Sequence, residues 1–222
     1  GGVGGEGQRF GGNRGVNGAG GQAVAIARGS NAGSSAVDVL ASATGGQGGG
    51  SVSSSTGVGP GEGGSGTAIA HGESSGGGDV TATVRVAGGI GTQGGVGGEA
   101  RIVDGASGRT TGTLHLRQEA HGGGRLSGLG GNAISEITTV DTEAAHLIVE
   151  SVARAGDGTI NGVGRASAYV TGANDVDVTA RVFSGRGDRE GGHIVGPVRG
   201  VSTGGGDVVV TAELGGLGSR GD

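Results

Sequence analysis

The sequence predicts an all-β chain, a Gly-rich β-solenoid with two strands per coil of about 33 residues. Three observations carry this. Short runs rich in Val, Ala, Thr and Ile alternate in polarity with period two, the signature of strands. Two independent markers recur at one spacing along the chain. Gly is clustered between the runs rather than spread evenly, as a disordered linker or a polyglycine bundle would have it.

The first marker is a set of strands, here called A: Ala36–Thr44, Asp79–Ala87, Thr113–His121, His146–Arg154, Asp175–Phe183 and Asp207–Leu214. Their first inward residues are Val37, Val80, Leu114, Leu147, Val176 and Val208, separated by 43, 34, 33, 29 and 32 residues. Within each run the apolar residues share a parity. Val80, Ala82, Val84 and Val86 face one way; Thr81, Thr83 and Arg85 face the other. Small Ala residues in many inward slots predict two sheets lying close together.

The second marker, for strands B, is Gly-x-Ala at Gly21, Gly66, Gly98, Gly131 and Gly164, with a degenerate Gly196-Pro197-Val198. The separations are 45, 32, 33, 33 and 32, repeating the long first interval. This alignment predicts that Ala100, Ala133 and Ala166 stack in adjacent coils. The extra length reads as an inserted loop region over 45–78, centred on Ser53–Ser55 and Gly57–Gly66. The alternative is an antiparallel β-sandwich, whose loops vary freely in length and whose strands need no common register. The shared period favours the solenoid. Gly-rich turns such as Gly88–Gly98 would supply positive φ or close backbone approach, and Gly-rich segments in a polyglycine-like extended form make a hybrid.

Composition bounds the function. Gly supplies 62 of 222 residues, against a usual ~7%, yet Pro is only 2, which excludes collagen. Cys, Met and Trp are absent, and every basic residue is Arg. The aromatics are Phe10, Tyr169 and Phe183. A thick mixed core is therefore excluded. The formal net charge of −5 argues against nucleic acid as a partner, since a basic stripe and stacking aromatics are missing. No apolar run approaches the ~20 residues of a membrane-spanning helix. Without an initiator Met or a signal-peptide pattern at Gly1–Gly21, the chain reads as a processed or partial product.

Candidate chemistry is sparse. His71, His115, His121, His146 and His193 form no cluster with the spacing of a zinc site. No Gly-x-Ser-x-Gly elbow sits between a strand and a helix. Glu119, Glu150 and Arg117 are expected to pair across coils. An enzyme and a cofactor are not expected. The weak calcium candidates are Asp79, Asp175 and Asp207, which recur at one position of strand A; a stacked column of carboxylates suits Ca²⁺, and the plainer role is turn capping. Thr81 and Thr83 show cleanly the Thr-x-Thr spacing that an ice-binding face would repeat, whereas other coils carry Asp, Glu or Arg there. Arg-Gly-Asp at Arg186–Asp188 and Arg220–Asp222 is short enough to arise by chance. The run Thr139–Ala145 forms at most one turn.

The run Leu114–Gly123 (LHLRQEAHGG), followed by a Gly-rich spacer and Gly131-Asn132-Ala133-Ile134-Ser135, resembles the Gly-rich repeat proteins exported by exosortase (PEP-CTERM) bacteria. The resemblance covers roughly Gly21–Gly216, is one of composition and rhythm, and departs from that class in having no Pro-Glu-Pro sorting segment. It implies a secreted, surface-associated or matrix protein of a Gram-negative bacterium.

The expected role is structural: an extracellular filament, sheath or matrix fibre, with an adhesin stalk or surface-binding solenoid as the alternative. Few oxidisable side chains suit a long-lived extracellular protein. A Gly-rich segment over 1–20 leads into a B strand at Gly21, and the chain closes with an A strand and a turn, Gly215–Asp222. Counted as A then B, the terminal coils are half coils complementary in phase. The expected partner is a second copy stacked head to tail, through Gly21, Ala23, Asp207, Val208, Val210 and Leu214.

Overall fold

The computed structural model describes residues 2, 17–50, 60–92, 94–124, 128–187 and 193–215. Ser53–Ser55 of the expected insertion, most of the 1–20 segment, Asp188 and the motif at 220–222 lie outside the described residues.

The described chain is all β. Its strands are β1 Ala23–Asn31, β2 Val37–Thr44, β3 Gly66–Ser74, β4 Val80–Ala87, β5 Ala100–Val103, β6 Ala106–Arg109, β7 Thr113–His121, β8 Ala133–Asp141, β9 His146–Arg154, β10 Gly164–Gly172, β11 Asp175–Phe183, β12 His193–Ser202 and β13 Val208–Gly215. Every strand pairing is parallel, between strands of successive coils. The B sheet runs β1-β3-β5-β8-β10-β12, with β6 also beside β3; the A sheet runs β13-β11-β9-β7-β4-β2. This is the solenoid. An antiparallel sandwich is excluded by the pairing direction. The run Thr139–Ala145 ends β8 and then bends into the next A strand.

The A columns fall where period-two reading puts them. Val37, Val80, Leu114, Leu147, Val176 and Val208 are successive partners. The B sheet differs from expectation by two residues in two coils. Ala133 pairs with Gly164, and Ala166 with Ser135; Ala23 pairs with Gly66. The column is thus Ala23, Gly66, Ala100, Ala133, Gly164. What stands opposite explains the shift. A Cβ on Gly66 would lie 3.0 Å from Val86 Cγ1, and one on Gly164 would lie 2.8 Å from Val182 Cγ1. In the A sheet the matching column reads Val86, Ala120, Ala153, Val182. Gly faces Val and Ala faces Ala, so facing volumes are conserved across a thin core. At Gly196-Pro197 the register slips between β10 and β12, a bulge that accommodates a residue with no N–H.

The A sheet supplies most of the large inward residues, and the B sheet supplies mainly Ala together with Ile102, Ile137 and Val170. Leu114, Leu116, Leu147, Val80, Val149 and Val176 are at most 1% exposed, as are Ala100, Ala133 and Ala166. One rung places a polar side chain in this core. The B strand of the third coil is interrupted at Asp104–Gly105, where Asp104 takes φ 49°, a conformation Asp tolerates. The fully buried Gln118 crosses the core to it. Its Oε1 accepts from Gly105 N (2.6 Å) and Ala106 N (3.1 Å), and its Nε2 donates to Glu136 O (3.0 Å). On the next rung Ser151 Oγ donates to Ser135 O at 2.8 Å.

Beyond the strands the two Gly-rich limbs of each coil close on each other. Each limb carries a pair of residues with divided duties. The first N–H bonds along the stack to the same limb of the next coil: Gly45 to Ala87 O, Gly88 to His121 O, Gly63 to Val96 O, Gly97 to Leu129 O. The second N–H bonds across the seam: Gly46 to Gly21 O, Gly64 to Gly46 O, Gly89 to Gly64 O, Gly98 to Gly89 O, Gly123 to Gly98 O, Gly131 to Gly123 O. The zigzag runs from Gly2 to Gly162 with N···O distances of 2.7 to 3.1 Å. Among the described residues, the glycines with positive φ are Gly77, Gly94, Gly128 and Gly205, none of them in the seam. The seam glycines are thus required by close approach, not by backbone freedom. Their hypothetical Cβ atoms would lie 1.7 to 2.1 Å from a neighbouring carbonyl oxygen, as at Gly46, Gly64, Gly88 and Gly98. Ala155 occupies a first position of the last bonded pair, and the zigzag ends one step later.

Candidate assembly surfaces

Parallel stacking leaves two different ends. At one, β1 and β2 are the outermost strands; at the other, β12 and β13. Each end is therefore a complete pair of strands, because B precedes A in every coil, and the half coils expected from counting A first are not present. Ala23 lies in β1, half-buried, with its N–H donated to Ser65 O at 3.0 Å; Gly21 N–H enters the seam through Gly2 O. Val208, Val210 and Leu214 lie in β13 and continue the inward columns of Val176, Val178 and Val182. The internal residues are 0%, 1% and 0% exposed; the terminal ones are 42%, 45% and 61% exposed. The difference arises because no described strand follows β13.

The aspartates separate. Asp175 and Asp207 stand on adjacent rungs, whereas Asp79 is three rungs from Asp175, with Thr113 and His146 between them. Asp79 and Asp175 cap backbone of a neighbouring coil. Asp79 Oδ1 accepts from Thr113 N at 2.8 Å, and Asp175 Oδ1 accepts from Asp207 N at 2.9 Å. Among the described residues no three His, Asp or Glu side chains converge. No helix there is long and apolar enough to cross a membrane.

The outer faces carry cross-coil ion pairs. Arg85 meets Glu119 at 2.7 Å, Arg181 meets Glu213 at 2.8 Å, Arg109 meets Glu143 at 2.6 Å, and Arg165 meets Glu136 at 3.0 Å. Arg117 lies between Glu119 and Glu150. Three histidines face carboxylates: His115 to Glu150 (3.2 Å), His146 to Asp177 (2.9 Å) and His71 to Glu73 (3.3 Å). The hydrogen bond from His115, helped by Arg117, holds the Glu150 carboxyl below its ordinary value against the opposing effect of burial. Burial, with Arg154 nearby, pushes the His121 imidazole down. His193 opens β12. Thr81 and Thr83 neighbour His115 and Arg117 in their columns rather than further Thr. Ile26 and Ile69 stack outward in one column, 64% and 44% exposed.

No family model matches this chain, and no curated protein or solved structure matches it.

Proposed function

We propose that this protein is an extracellular structural protein whose copies stack head to tail into a filament, sheath or matrix fibre. The observation behind the reading is the bare inward face of the last A strand. Val208, Val210 and Leu214 keep the pattern of core residues, yet stand 42% to 61% exposed. At the opposite end Ala23, Ala25 and Ala27 are only partly buried. The two ends are unlike, and all strands run one way. A second copy can therefore continue both sheets with unchanged polarity, and a heterologous contact of this kind does not close. Unpaired edge strands favour such addition. The resemblance to exported Gly-rich repeat proteins and the lack of oxidisable Cys, Met and Trp support the extracellular setting.

The test is light scattering and electron microscopy of the 222-residue protein at neutral pH, beside Val210→Asp. Val210 is half exposed in the protomer, and circular dichroism of the variant checks that its fold is retained before assembly is compared. Filaments that vanish in Val210→Asp are expected. A stable wild-type monomer, or filaments unaffected by the substitution, would overturn the reading.

A further inference from the structure

Most outward arginines on the strands have a partner, and Arg154 lies over the Phe183 ring at 4.7 Å. Arg85, Arg101, Arg109, Arg117, Arg165 and Arg181 each reach a glutamate on a neighbouring rung. Arg28 and Arg199 have no such partner among the described residues. Both are exposed, and they stand on β1 and β12, the first and last strands of the B sheet.

The registers relate these two positions. Ala27 pairs with Ala70, and Ala168 with Val198. Ala70 pairs with Ala106, and the inward column passes on through Ile137 to Ala168. A copy that continues the B sheet in this register sets its Ala27 beside Val198. Its Arg28 then stands beside Arg199, one rung of about 4.8 Å away. Ser30 of the incoming copy falls beside Val201, so the incoming strand brings no carboxylate beside Arg199; on β3, Glu73 stands diagonal to Arg28 and faces His71 at 3.3 Å. Like charges directly opposite each other on a sheet repel. Two guanidinium forks side by side are also the geometry that a tetrahedral oxyanion satisfies, accepting two N–H bonds from each.

We infer that the head-to-tail joint is an oxyanion site, in which sulfate or hydrogen phosphate bridges Arg199 of one copy and Arg28 of the next and promotes their stacking. This rests on the head-to-tail reading above. The site is incomplete in a single copy, because each supplies one arginine at each end.

The experiment measures the protein concentration at which assembly begins, in chloride and in millimolar sulfate at equal ionic strength. Sulfate also strengthens apolar burial in general, so Arg199→Glu is run in parallel; it keeps that general effect and removes the site. For the wild type, sulfate lowers the onset concentration on the order of threefold. Arg199→Glu assembles in chloride as readily as the wild type does in sulfate, because the introduced carboxylate faces Arg28. Adding Arg28→Glu to it restores repulsion that sulfate does not relieve. A wild-type onset equal in both salts, or a sulfate response as large in Arg199→Glu as in the wild type, overturns the site and leaves stacking intact. Absence of assembly in every salt and variant overturns the head-to-tail reading itself, and the site with it.

Discussion

Gly123 and Gly124 are adjacent, and alanine at each should behave in opposite ways. A Cβ on Gly123 would lie 2.0 Å from Gly89 O and 2.6 Å from Gly98 N. Both obstacles are backbone, so no rotamer change relieves them. To reach an ordinary contact the limbs must part by more than 1 Å at this point, as the shortfall from the ~3.5 Å optimum dictates. That displacement breaks two seam bonds, Gly123 N to Gly98 O and Gly98 N to Gly89 O, each 2.8 Å. Each lost bond removes ~1 kcal/mol, and stranding buried groups adds ~1–3 kcal/mol. Gly123→Ala should therefore lower stability by about 3–5 kcal/mol. A Cβ on Gly124 would find its nearest neighbour at 3.8 Å, the Asp157 Cβ. Gly124→Ala should be neutral or stabilising by up to ~1 kcal/mol, since it reduces the freedom of the unfolded chain. Urea unfolding followed by circular dichroism measures both. If the two variants differ by less than ~1 kcal/mol, the seam is not a backbone-limited contact and the reasoning fails.

Three further outcomes are expected. Gly66→Ala alone should destabilise by ~1–3 kcal/mol through overpacking against Val86; combined with Val86→Ala it recreates the Ala–Ala facing of Ala100 and Ala120, so a double-mutant cycle should show the pair at least ~1 kcal/mol better than additive. Gln118→Leu should cost about 3 kcal/mol by stranding the buried amides of Gly105 and Ala106, with hydrogen exchange accelerating first at those two amides; unchanged exchange there would refute the bridging role. Because burial depresses the His121 imidazole in the fold, the unfolded chain protonates first, so this residue's contribution is complete above pH ~6.5 and declines as pH falls from there toward the folded value. His121→Gln should flatten that part of the stability–pH curve, measured by urea midpoints across the range.

The A strands were legible because Val, Leu and Ala fill most inward positions at period two, with Gln118 and Ser151 as exceptions, so parity places Val80, Leu114 and Val176 in one column. The B strands were less so. Gly-x-Ala marks a strand entry, but whether Gly or Ala fills the inward slot depends on the residue opposite, Val86 or Ala120, and local sequence does not identify it. Gln118 shares the parity of Leu114 and Leu116, but nothing in its own strand reveals that its partner is a break at Asp104–Gly105 in the other sheet. The Gly clusters were visible as connectors, while their function as a bonded seam depends on two limbs about 25 residues apart, as for Gly98 and Gly123, meeting at backbone distance. Arg28 and Arg199 are unremarkable in sequence and acquire meaning only from their places on the first and last strands.

The seam also explains where a coil can change length. Val37 to Val80 is the longest interval between successive A strands, yet Val37 pairs with Val80 in full register. Gly45 and Gly46 are held on one limb and Gly63 and Gly64 on the other by bonds to neighbouring coils. The additional residues must therefore lie between these pairs in the sequence. There a longer connection adds only the logarithmic entropy of loop closure. An insertion between a Gly pair and its strand would instead shift every inward residue to the wrong face or the wrong rung. The fold thus separates a rigid part from a tolerant one. Moving residues 51–59 into the corresponding stretch of the next coil, between Gly91 and Gly95, should leave unfolding midpoints within ~1 kcal/mol of the parent by that entropy term. Inserting the same nine residues between Ala87 and Gly88 should abolish cooperative unfolding. Equal tolerance at both places would show that the glycine pairs do not set the register.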